Sequence, residues 1–146
     1  MTICKNQIYA DDIFLLMKQF SFSKQERICK RNDFHEILSN GQSIYSYPFR
    51  CVYVWRNSDS FSVRVAISVS RKRFKHAVDR NRIKRLVREN YRLEKHQLYQ
   101  HYADCKQSLD ILIVYTDTKI LSFSSLQRSF VKLINKLIKQ NNSSIG

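Results

Sequence analysis

Between residues 71 and 92 the chain reads RKRFKHAVDRNRIKRLVRENYR, ten Lys or Arg against only Asp79 and Glu89. Guanidinium forks match the paired oxygens of a phosphodiester, and ammonium groups neutralise it as point charges. Arg71, Lys72 and Arg73 open the stretch, and a helix follows them. At about 100° per residue, with Arg80 as zero, Lys84, Arg88 and Arg92 fall near 40°, 80° and 120°. Asn81 and Arg85 join them at about 100° and 140°, while Arg82 sits at the margin near 200°. Ile83, Leu86, Val87 and Leu93 occupy about 220° to 340°, the side that packs on a sheet. Solvated helix faces normally mix signs, because like charges at i,i+4 destabilise a helix. Here Arg80–Lys84, Lys84–Arg88 and Arg88–Arg92 all repel, and the opening of a helix is the poor end for cations. A face built against both penalties implies a polyanion beside it.

No protein-borne hydrolytic centre is legible. A nuclease site needs clustered carboxylates for metal ions, or paired His for acid–base work. His35, His76, His96 and His101 have no such spacing, and the one acidic pair is Asp11–Asp12. Cys4, Cys29, Cys51 and Cys105 are scattered singly, without C-x-x-C or a nearby His, so they read as free or buried thiols.

The stretch holds +8 of a net charge of +14 over 146 residues. That length suits one domain, and 43% hydrophobic residues with 18 aromatics suit a packed core rather than a disordered basic tail. Two glycines exclude glycine-cradled nucleotide sites. A chain this basic repels its own copies, so a monomer is expected apart from a polyanion. No run approaches the roughly 18 apolar residues of a membrane span. IFLLM at 13–17 follows Asp11 and Asp12, the wrong flank for a signal peptide, so the expected location is cytoplasmic.

The elements that position the cations follow from periodicity. KRNDFHEILSNG predicts a helix over about 32–40, with Asp33 as cap and Asn40–Gly41 as its end. From Ser43 to Trp55 aromatic and apolar residues recur every second position, with Pro48 implying an edge or two short strands. A turn at 57–60 precedes a strand over 62–70, and Asp79 opens a helix over about 79–101. A strand over 108–116 is followed by a helix from a Ser cap near Ser124 to about Gln140. Few strands in mixed order predict an α+β fold, one small sheet packed by helices. Residues 1–20 read as an N-terminal extension or as sequence upstream of a start at Met17. Residues 21–140 read as the domain and 141–146 as a tail.

RNRIKRLVRE (80–89) resembles the signature of the bacterial ribonuclease P protein family, R-N-R-x-K-R-x-x-R-E, at all seven specified positions. AISVSRKRFKHAV (66–78) and RICKRNDFHEIL (27–38) resemble the family's strand-and-loop segment and first helix, and the resemblance runs from about Ser23 to Gln140. It implies an α-β-β-β-α-β-α fold of the ribosomal protein S5 domain 2-like type, with a left-handed βαβ crossover. It also implies a protein that assists a catalytic RNA in cutting the 5′ leader from precursor tRNA, with Mg²⁺ held mainly by that RNA and no protein-bound cofactor. Arg71, Lys72, Arg73, Arg80, Asn81, Arg82, Lys84, Arg85 and Arg88 are then RNA-binding residues. Phe34 lines the leader cleft, with Tyr53 near the place of the strand aromatic, although an ungapped count lands on Val52. Leu38 stands where many members have a second aromatic, and Ala66 where Gly is common. The alternatives are a non-catalytic RNA-binding or ribosomal protein, and a membrane-surface protein. The second is weakened because the basic helix has no Trp and its apolar face is needed for the core.

Overall fold

Side chains that alternate across a pleated strand are sorted onto two faces, and this chain builds a separate layer on each. A computed structural model describes residues 24–145, with side chains through Gln140; the readings for residues 1–20 fall outside that range. A 3-10 turn, Lys24–Glu26, leads into α1 (Arg31–Asn40), β1 (Gln42–Ser46), β2 (Phe49–Asn57) and β3 (Ser62–Val69). Then come α2 (Ala77–His101), β4 (Gln107–Tyr115) and α3 (Phe123–Ile145). The expected α+β class and element order hold.

One sheet has the order β1-β2-β4-β3. β1 and β4 both run antiparallel to β2, while β3 and β4 are parallel, so α2 is a crossover between neighbouring parallel strands. Pro48 splits the long alternating run into two strands of a hairpin. β1 is the edge strand and β2 lies inside the sheet.

α2 and α3 cover one face, burying Phe49, Cys51, Tyr53, Val65, Leu109 and Ile113 among others. From α2 the buried apolar residues are Ile83, Val87, Tyr91 and Leu98. Leu86 and Leu93, expected among them, are only half-buried. α1 covers the other face, where a smaller cluster joins Ile28, Ile37, Val52, Ala66 and Leu112.

Four helix ends differ from expectation. Lys30 occupies the cap position of α1 and Asp33 lies in its first turn. α2 starts two residues early, with His76 at its cap and Asp79 in its first turn. α3 starts at Phe123, with Ser122 Oγ accepting the Ser125 N–H at 3.3 Å, and it runs through 141–145 rather than ending at Gln140. Gly41 ends α1 in extended backbone, its N–H donating to Ile37 O at 2.8 Å. A Cβ there would collide with the Ile37 carbonyl and Val52 Cγ1, so close approach rather than a left-handed turn requires glycine.

Candidate nucleic-acid interface

α1 is tied to the sheet by ion pairs as well as by the buried Ile37. Asp110 points from β4 into this face with 0% exposure. A carboxylate buried so deeply must be paired. Arg64 of β3 donates to it through Nε at 2.9 Å and Nη2 at 2.6 Å, and Arg56 Nε of β2 lies 3.1 Å away. The same two guanidiniums reach up to α1. Arg64 Nη1 is 3.3 Å from Asp33, and Arg56 Nη2 is 3.6 Å from Asp33 and 2.7 Å from Glu36. Hydrogen bonding to Asp110 raises the pKa of Arg64 further above its ordinary value. Asp33 is therefore an anchor rather than a cap.

Beside this anchor lies a groove of about 230 Å³, formed where α1, β3 and α2 meet the segment before α1. Phe34 lines it from α1, Ala66 from β3, Arg27 and Cys29 from the preceding segment, and Lys84 and Arg88 from α2. Two interactions hold that segment in place. Ile28 N–H donates to Val65 O at 3.2 Å, and Lys95, nearly buried on α2, grips Glu26 at 2.8 Å. Phe34 is thus set against two cations of the basic helix, a ring for a base beside charge for phosphates.

Five of the described carboxylates pair with cations. Asp33, Glu36 and Asp110 engage Arg56 and Arg64, Glu26 engages Lys95, and Glu89 engages Arg92 at 2.8 Å. Arg92 therefore leaves the cationic stripe in which its spacing had placed it. Among the described residues, Arg71, Lys72, Arg82, Lys84, Arg85 and Arg88 have no carboxylate partner. All but the half-buried Lys84 are exposed, as is Asn81. Arg80 and Arg73 bond to backbone carbonyls and brace the loop. Arg80 Nη1 donates to the carbonyls of Phe74 and Lys75, both at 2.9 Å, and Arg73 donates to the carbonyl of Thr116.

Tyr53 does not belong to the groove. It is 3% exposed on the opposite face, its hydroxyl directed at the side-chain oxygens of Gln42 and Gln140, both at 2.9 Å. Strand parity decides this: Arg50, Val52, Val54 and Arg56 face the α1 layer, while Phe49, Cys51 and Tyr53 face α2 and α3. Val52 holds the groove-side position, and Leu38 is 63% exposed on α1. Sequence reasoning missed Arg27, the groove-face Arg50 and the whole anchor of α1. One signal for the anchor was present, since Asp110 is a lone carboxylate in the apolar strand LDILIVY.

Among the described residues no three His, Cys, Asp or Glu are grouped to hold a metal ion. The acidic cluster at Asp110 is occupied by guanidiniums, so these donors do not fit a protein-held Mg²⁺. Cys29, Cys51 and Cys105 are free thiols, and burial pushes the Cys51 thiol up to about 12. No described helix is long and apolar enough to cross a membrane.

The model of the Ribonuclease P family matches residues 22–138. The ribonuclease P protein component of Porphyromonas gingivalis is 32% identical over 119 residues, covering 81% of this chain and 87% of that one. That of Geotalea uraniireducens is 35% identical over 124 residues, 84% of this chain and all of its own. Among solved structures, the RNase P protein of Thermotoga maritima superposes with a TM-score of 0.60 at 25% identity, covering 76% of this chain and 96% of its own. The Staphylococcus aureus protein gives 0.59 at 30% identity, covering 77% and 94%. Signature, fold and relatives agree, and the chain belongs to the ribonuclease P protein family.

Proposed function

We propose that this chain binds the catalytic RNA of ribonuclease P through the 71–73 loop and the outer face of α2, and holds the single-stranded 5′ leader of precursor tRNA in the Phe34 groove. Arg71, Lys72, Asn81, Arg82 and Arg85 meet the catalytic RNA, while Arg73 and Arg80 keep the loop in shape. Lys84 and Arg88 neutralise leader phosphates as a leader base lies on Phe34. Leader hydrolysis and its Mg²⁺ belong to the RNA. The protein works in the cytoplasm as a single copy on that RNA, lowering phosphate repulsion where the two RNAs meet. The observation that carries this reading is the set of cations without carboxylate partners, running from an exposed loop and helix face into a groove that holds an aromatic ring.

The test is cleavage of precursor tRNA over a Mg²⁺ titration with protein alone, a bacterial ribonuclease P RNA alone, and both together. Protein alone should be inactive, and the mixture should cut at lower Mg²⁺ than the RNA alone. Cleavage by the protein alone, or an unchanged Mg²⁺ requirement in the mixture, would refute the proposal.

A further inference from the structure

α3 carries Arg128, Lys132, Lys136 and Lys139 and has no Asp or Glu anywhere along it. At about 100° per residue, with Arg128 as zero, they fall near 0°, 40°, 80° and 20°, so all four share one stripe. Arg128–Lys132 and Lys132–Lys136 are repulsive i,i+4 pairs, the same signature that α2 shows. Among the described residues Arg128 and Lys132 have no carboxylate partner, and Lys136 Nζ donates to the carbonyl of Tyr45 at 2.7 Å. Glu94 of α2 meets α3 at Gln127, 3.4 Å away and about 100° round the helix from Arg128.

One end of the stripe reaches an open edge, where Lys136 meets the β1 backbone. α3 packs along β1, at the far end of the sheet from β3 and the groove, and Ser46 Oγ of β1 donates to the Ser129 carbonyl at 3.2 Å. β1 leaves Tyr45 52% exposed. Strand register sets Tyr45 beside Arg50, Arg50 beside Val114, and Val114 beside Ser68. This row crosses the face that α1 only partly covers, and Tyr45, Arg50 and Ser68 are exposed along it. Three strand spacings make the crossing about 14 Å.

We propose that Tyr45 and the α3 stripe form a second contact for single-stranded RNA, taking the distal leader where it leaves the sheet: a base stacks on Tyr45 while Arg128, Lys132 and Lys136 meet phosphates. This rests on the reading of the Phe34 groove as the proximal leader site.

The test uses the full chain assembled with catalytic RNA, and precursor tRNAs with leaders of about 4 and about 16 nucleotides, the range a single-strand site spans. The wild type should bind the long leader more tightly. Arg128→Gln with Lys132→Gln should remove that gain and lower the salt slope for the long leader by about 1.4, at ~0.7 per lost single-strand contact. Short-leader and catalytic-RNA affinities should stay unchanged. Tyr45→Ala should weaken the long leader about fivefold or more. The proposal is overturned by a wild type indifferent to leader length, by variants without effect, by equal loss on both leaders, or by loss of catalytic-RNA affinity. Phe34→Ala separates the two readings. If it leaves the short leader unaffected while the α3 variant still loses the long-leader gain, the groove assignment fails and the α3 contact stands.

Discussion

Asp110→Asn isolates the charge that holds α1 to the sheet. Asparagine preserves the shape and one acceptor oxygen but removes the negative charge that faces two guanidiniums. Removing one partner of a buried pair costs about 3–5 kcal/mol, because the other charge is left unpaired. Two features lower that figure here. Arg56 and Arg64 side chains are 29% and 32% exposed, and Asp33 remains within 3.6 Å and 3.3 Å of them. A loss of about 2–3 kcal/mol is therefore expected, which for a chain of this size lowers Tm by roughly 10 °C. Urea unfolding should show the drop as a lower midpoint at unchanged slope. Arg64→Met combined with Asp110→Asn should be non-additive, since the two groups share hydrogen bonds. Leader-dependent precursor affinity should fall with α1, whereas catalytic-RNA affinity should not. A stability loss below about 1 kcal/mol, the worth of an exposed ion pair, would show that the cluster is solvated and that α1 is held by its apolar contacts.

Arg82→Ala with Arg85→Ala should weaken catalytic-RNA binding and flatten its salt dependence by about 0.9 per lost duplex contact; an unchanged slope would place both residues off the RNA. Gly41→Ala should destabilise by about 1–3 kcal/mol through overpacking against Ile37 and Val52, and a melt identical to wild type would contradict the close approach. Cys51 should stay unmodified by iodoacetamide at pH 8 in the native protein, because burial raises its pKa to about 12 and leaves almost no thiolate. Peptide mapping should find Cys29, which is exposed, alkylated under the same conditions, and labelling of both at equal rates would mean that the sheet opens readily.

The sheet, its helices and the basic stretch were legible because each rests on a local signal: period-two alternation, period-3.6 stripes, or a charge excess within one segment. Tyr53 is near the family position in sequence but on the other face, because a strand assigns faces by parity and a one-residue difference from Val52 reverses the face. Arg80, Arg73 and Arg92 carry the right charge at the right spacing but bond within the chain. Only the fold brings Thr116 to Arg73 or turns Arg80 back to the 74–75 carbonyls. The anchor was hidden for a related reason, since Asp33, Glu36, Arg56, Arg64 and Asp110 come from four elements. Asp110 alone signalled that partners had to exist.

The unequal layers explain how a groove survives on a sheet that could have been sealed. Among the described residues, twenty-two buried side chains form the core between the sheet and α2 and α3, against five in the cluster beneath α1. Docking α1 through more apolar side chains would require closing the groove that Phe34 and Ala66 line, because apolar contact has no preferred direction and stabilises by closing gaps. Guanidinium–carboxylate pairs instead fix a distance and an orientation, so α1 can be held without its side chains closing the space beside Phe34. The same division separates two responses to salt. Charges facing RNA are screened beyond about 8–10 Å at physiological ionic strength, whereas a pair built on the fully buried Asp110 is screened far less. Raising salt should therefore release RNA well before it loosens α1. If Phe34-dependent leader binding and the stability of the free protein fell together along one salt titration, the anchor would be as exposed as the interface, and this account of the groove would fail.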